Sequence, residues 1–233
     1  MPTRRPLTPT EGCGPLEPSR MEGIRRRRHP FSSSRAYLRP RQETTSIPPS
    51  HARGPIRTVW VPSSSPGLKR ADPDFYAAYV LNYILGGAGF GARLTDEIRE
   101  KRGLAYSVYT SLMPLDHAGA FIGSVATENG HVKESLELIE KEIAKMLATG
   151  ATATELQNAK TYLTGSYPLR FDTSGKIASE LVGIQLEDLG IDYINKRNSY
   201  IEAVTLADLK RVAPRFLIPG RPVETIVGDP KGL

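Results

Sequence analysis

Apolar side chains do not recur with any regular period until about residue 55 of this 233-residue chain, and that boundary limits the possible folds more than any single motif. Residues 1 to about 54 are rich in Pro, Arg, Ser and Thr. Such a segment buries too little apolar surface to offset its ordering entropy, so it is expected to be disordered. Folding is then confined to residues 55–233, enough for one sizeable domain.

Charge divides at the same place. Residues 1–57 hold 12 arginines, no lysine and 4 glutamates, a net of +8, whereas the remaining 176 hold 19 basic and 21 acidic side chains, a net of −2. Arg25–Arg28 could form a nucleic-acid or anionic-membrane arm. The absence of lysine and the abrupt change of composition favour a solvated tail, so nucleic acid is the weakest partner reading. The single cysteine, Cys13, rules out an internal disulfide and a cysteine-based zinc cluster. No apolar run approaches the ~18 residues of a membrane span, and no apolar signal core opens the chain. The default expectation is a cytoplasmic protein, or a periplasmic one if the N-terminus is misassigned.

Past residue 55 the pattern is strand, helix, hairpin, several helices, strand. Ile56–Pro62 is a weak candidate strand, followed by a turn over Ser63–Gly67. Asp72 as N-cap with Pro73 at the first helical position predicts a helix start. Tyr76, Tyr79, Val80, Tyr83 and Ile84 then recur at helical spacing until Gly86-Gly87. A short helix is expected over about Ala92–Glu100. Leu104–Met113 alternates like a strand, with Leu104, Tyr106, Val108 and Thr110 on one face, and Ala120–Thr127 returns as its partner. Val132 to Leu147 marks a long amphipathic helix ending at Gly150. Thr152 and Glu155 form a capping box for the next helix, which runs to about Ser166. Further helices are expected over Ser174–Asp188, Tyr193–Val204 and, capped by Thr205, Leu206–Phe216. Val223–Val227 is the last strand. This order predicts an α+β domain, an antiparallel sheet with helices packed mainly on one face.

Candidate chemistry is sparse. The histidines, His29, His51, His117 and His131, are not spaced to share a helix face. His131-Val132-Lys133-Glu134-Ser135 falls one ligand short of the H-x-x-E-H zinc motif, because Ser135 stands where the second histidine is required. No metal ligands are therefore assigned. The glycines from Gly86 to Gly91 follow a helix and lack Gly-Lys-Ser/Thr, so they make no phosphate loop. Arg99 and Tyr106 remain. A guanidinium donates in a planar fork suited to a peptide carbonyl or carboxylate, and a phenol can donate to an oxygen that becomes negative. Judged by residue type alone, a surface charge and a strand residue packed on the core are the better reading, since exposed arginines and strand tyrosines are common.

Several stretches, in order and at matching spacing, resemble the second-half domain of pitrilysin/insulinase-type zinc peptidases. They are Pro66-Gly67-Leu68, Asp72-Pro73-Asp74, Asn82–Gly87, Arg93-Leu94, Arg99–Tyr106, Glu155–Lys160 and Val227–Pro230. In that family the zinc sits on a separate H-x-x-E-H domain, and the facing domain contributes an arginine seven residues before a tyrosine. The resemblance implies that Tyr106 hydrogen-bonds the scissile carbonyl and that Arg99 holds substrate backbone, with Arg102 the second choice for that arginine. It also implies a non-catalytic subunit or fragment whose partners are an H-x-x-E-H subunit and a peptide. Zinc is expected in that partner and no cofactor in this chain. A scaffold subunit of the same family is the alternative.

Overall fold

The computed structural model describes residues 57–62, 67–87, 91–115, 118–218, 222–228 and 230. The expected disorder of residues 1–54, the Ser63–Gly67 turn before its last residue, and His29, His51 and His117 lie outside the described residues.

Among the described residues four strands form one antiparallel sheet: β1 (Arg57–Pro62), β2 (Ala105–Pro114), β3 (Gly119–Thr127) and β4 (Pro222–Val227). Their spatial order is β2-β3-β1-β4, so the first and last strands of the domain lie side by side. β1, weak as a sequence pattern, pairs on both edges: Thr58 stands opposite Val125 of β3 and Ile226 of β4. At the start of β3, Gly67 and Gly119 approach closely, with the Gly67 N–H donating to the Gly119 carbonyl at 2.7 Å. A Cβ on either glycine would meet the other's backbone at 2.3–2.4 Å, so neither position accepts a side chain without movement.

Among the described residues six α-helices follow the expected order: α1 (Phe75–Gly86), α2 (Val132–Thr149), α3 (Ala153–Gly165), α4 (Ser174–Leu186), α5 (Tyr193–Glu202) and α6 (Leu206–Phe216). They group on one face of the sheet, as α+β patterning requires. α1 is buried almost all round, through Val80, Leu81, Ile84 and Leu85. α2 buries one stripe, Val132, Leu136, Ile139, Ile143 and Met146, and ends at Gly150. Phe121 of β3 meets Phe216 of α6 edge to face, centroids 5.1 Å apart, joining sheet and helices in one core. Both capping boxes form: Thr152 with Glu155 starts α3, and Thr205 with Asp208 starts α6.

Three local expectations are corrected. α1 starts at Phe75, after Asp74, and not at Asp72-Pro73. Asp72 instead closes a turn, accepting the Asp74 N–H at 2.8 Å, while Arg215 from α6 donates to both carboxylates and Arg211 to Asp74. The expected Ala92–Glu100 helix forms over residues 93–100 but widens into a π-helical turn over Thr95–Glu100, in which Lys101 N–H reaches back five residues to the Asp96 carbonyl. Finally, Tyr106 does not share a face with Leu104, Val108 and Thr110. Those three are buried, and Tyr106 is 86% exposed. The reason is a bulge: Ala105 pairs with Thr127 but Ser107 with Ala126, leaving Tyr106 as an extra residue that breaks the two-residue period.

Candidate active-site rim

The bulge determines what the site is. β2 is an edge strand whose inner face, Ala105, Val108 and Thr110, packs under the helices. Its outer face carries Tyr109 and Met113, both about half exposed. At the bulge Tyr106 and Ser107 turn outward together. Beside them, on the outer face of the β2/β3 hairpin, lies an open concavity of about 610 Å³, lined by Tyr106, Ser107, Tyr109, Ser124, Ala126 and Glu128 among others. Among the described residues the Tyr106 hydroxyl makes no hydrogen bond. It is a donor held out toward solvent from a fixed backbone.

The approach to the bulge is also fixed. Gly103 adopts a left-handed φ of +63° and donates its N–H to the Arg99 carbonyl at 2.9 Å, while Leu104 N–H reaches the Ile98 carbonyl at 3.0 Å. Arg99 in the π-turn and Tyr106 at the strand start are thus joined by one tight backbone reversal. Their side chains do not bond to each other. Arg99 is about half exposed, and among the described residues its ionic contact is with its neighbour Glu100, at 3.5 Å. Arg102, the competing arginine, is engaged within the turn: one of its nitrogens donates to the Glu97 carbonyl at 2.6 Å and to the Glu97 carboxylate at 2.7 Å. Lys101 first and Arg102 second hold the Glu97 carboxyl down at about 2. Of the two arginines, Arg99 is the less engaged among the described residues.

Ahead of the π-turn stands a part-buried pair, Arg93 with Glu155, that the sequence pattern did not connect. Arg93 donates through Nε and Nη2 to the two carboxylate oxygens of Glu155, at 2.6 and 2.8 Å, and through Nη2 to the Gly150 carbonyl at 2.9 Å. Glu155 is the same residue that completes the α3 capping box. Burial pushes its carboxyl up, but the bonds from Arg93 and from the Thr152 N–H and hydroxyl outweigh that and hold it at about 2. Arg93-Leu94 and Glu155 stood among the resembling stretches, but no local pattern links side chains 62 residues apart.

The near-miss zinc motif does not fit a metal. His131 stands ahead of α2 with its side chain 45% exposed, 3.8 Å from Glu134. Ser135 is fully buried and donates to the Thr127 hydroxyl at 3.4 Å. Among the described residues, no group of three or more His, Cys, Asp or Glu side chains could hold a metal ion.

Residues 49–163 match the model of the peptidase M16 inactive domain. The chain belongs to the M16, pitrilysin-type, peptidase family. It is 33% identical over 169 residues to an uncharacterized zinc protease of Streptomyces coelicolor, a match spanning 71% of this chain and 36% of that one. It is 36% identical over 108 residues to the non-peptidase homolog YmxG of Helicobacter pylori, spanning 46% of this chain and 24% of that one. Among solved structures it resembles an M16 inactive domain from Pseudomonas fluorescens, with 29% identity, a TM-score of 0.65 and coverage of 74% and 41%. The chain therefore spans about a third or less of the M16 relatives named here by sequence. Among the described residues no helix is long and apolar enough to cross a membrane.

Proposed function

We propose that this chain is the non-catalytic half of a divided peptidase, lending Arg99 and Tyr106 to a site whose metal sits on an H-x-x-E-H partner. The observation that carries the reading is the β-bulge, which takes Tyr106 out of the strand alternation and leaves its hydroxyl unbonded and exposed at the rim of an open concavity. Bulges recur next to active sites because they re-aim a side chain. The family match and the non-peptidase relative support the non-catalytic part of the reading.

In this arrangement Tyr106 donates its hydroxyl proton in a hydrogen bond to the oxygen of the peptide carbonyl as negative charge develops there. Arg99, permanently charged and forked, binds backbone carbonyls of the same peptide and fixes its register. Neither residue can deprotonate water, so this chain alone is expected to hydrolyse nothing. Zinc belongs to the partner, and the peptide to the space between the two.

The test is to mix the chain with a candidate H-x-x-E-H subunit from the same source and assay a quenched peptide library. Activity should appear only in the mixture. Tyr106→Phe should lower turnover by on the order of 10²–10³, the loss typical of one positioned oxyanion donor, with the complex still formed by light scattering. Full turnover by that variant would refute the role. A scaffold is the second reading, favoured by the apolar side chains that α4 leaves at its surface: Ile177, Leu181, Val182 and Leu186 are 38–77% exposed. A stable complex with no peptidase activity would select it.

A further inference from the structure

On the helix side of the molecule, away from the bulge, a cleft of about 320 Å³ opens between α1, the far end of β2, α4 and α5. Rings of Phe75, Tyr76, Tyr79 and Tyr193 form much of its wall. Three arginines and two glutamates also line it. Arg70 takes Glu187, donating through Nε at 2.8 Å, and is further held by the Tyr76 and Tyr193 hydroxyls at 3.0 and 2.9 Å. Arg170 takes Glu180, at 3.7 Å. Arg197 is left over. It is only 5% exposed, yet among the described residues it has no carboxylate partner.

The ligands Arg197 does have are neutral. Its Nη1 donates to the Leu163 carbonyl at 2.9 Å and the Asn198 side-chain oxygen at 3.0 Å, and its guanidinium lies over the Tyr167 ring at 4.2 Å. Carbonyl and ring contacts offset part of the desolvation of a buried cation, but they do not neutralise it. A buried positive charge in the wall of a ligand-sized, aromatic-lined cleft is completed by an anion from outside. We propose that this cleft binds a carboxylate carried on an aromatic or apolar stem, with Arg197 as the counter-ion and the rings of α1 and α5 around the stem. This site is separate from Arg99 and Tyr106, and it stands whether or not the divided-peptidase reading does.

The experiment is a calorimetric titration of the full chain with N-acetylphenylalanine and, in parallel, with its uncharged amide. The acid should bind at least about tenfold more tightly, the difference expected of one charge-assisted hydrogen bond. Arg197→Gln should remove that preference. Gly183→Leu supplies a second variant that does not threaten the fold: Gly183 lines the cleft from α4, a Cβ there meets nothing within 4 Å, and Leu favours helix over Gly. It should weaken acid binding by crowding the cleft. Equal affinity for acid and amide, no binding of the acid at any soluble concentration, or undiminished binding in Gly183→Leu would each overturn the proposal. Should Arg197→Gln fail to fold, the acid–amide ratio and Gly183→Leu decide it.

Discussion

Arg93 and Arg99 stand six residues apart on one short segment, and the fold uses them in opposite ways. Arg93 has a side chain only 11% exposed and spends its guanidinium on Glu155 and the Gly150 carbonyl, tying the π-turn to the start of α3. Arg99 is 46% exposed and meets one neighbouring glutamate at a loose 3.5 Å. The same chemistry serves anchoring in one case and is loosely held at the surface in the other. The contrast is instructive because a rim residue can present a group accurately only if the backbone beneath it is held by something else. Here the Arg93–Glu155 pair ties the segment down, and Arg99 and Tyr106 are the groups proposed above to meet a substrate.

The comparison breaks most visibly at the anchor. Glu155→Ala removes both acceptor oxygens from a largely buried arginine and dismantles the α3 capping box together. The expected loss is on the order of 3 kcal/mol of stability, read as a fall in the urea midpoint at unchanged slope. Arg93→Ala should cost a similar amount, and the double variant less than the sum, since the two substitutions remove one interaction.

The next effect is a pH dependence. Because the folded Glu155 carboxyl sits at about 2, below its ordinary value near ~4.3, its contribution is fully present above that ordinary value. It is lost as the pH falls through the window down to about 2. Allowing for the partial exposure of the carboxylate, about 2 kcal/mol should disappear across that window. Urea midpoints measured from pH 6 to pH 2.5 should fall more steeply in the natural chain than in Glu155→Gln. Parallel curves would mean that the pair does not anchor the turn. Smaller again is Gly103→Ala. No atom lies within 4 Å of the added Cβ, so its cost is the left-handed backbone alone, about 1 kcal/mol.

The parts of this molecule legible in the sequence were those set by residues close together along the chain. The Thr152–Glu155 box, the Thr205 cap, the Gly150 stop and the β2/β3 hairpin each depend on a few consecutive side chains, and each formed where the pattern put it. The α1 start moved because Asp72 and Asp74 answer arginines more than 130 residues away, which no local capping rule includes. The bulge was invisible for a related reason. It is a property of the register between two strands, and no glycine marks it at Ala105-Tyr106-Ser107. Arg99 and Tyr106 were reached through family resemblance; periodicity alone would have placed Tyr106 in the core. The excess cation at Arg197 had no local signal either, since it shows only once the acids around it are paired off.

The smallest expected effect sharpens the comparison furthest. Arg99→Ala removes a half-exposed side chain whose one ionic contact is a neighbour at 3.5 Å, and such surface pairs contribute little. Its unfolding free energy should stay within about 0.5 kcal/mol of the natural chain, against a loss on the order of 3 kcal/mol for Arg93→Ala. Tyr106→Phe should be equally silent, because the hydroxyl it removes bonds to nothing among the described residues and the ring remains. Silence in stability combined with loss of activity in the assembled pair is the signature of groups kept for a partner. If Arg99→Ala instead lowered the urea midpoint as far as Arg93→Ala does, the two arginines would be anchors alike, and Arg99 would have no claim on a substrate.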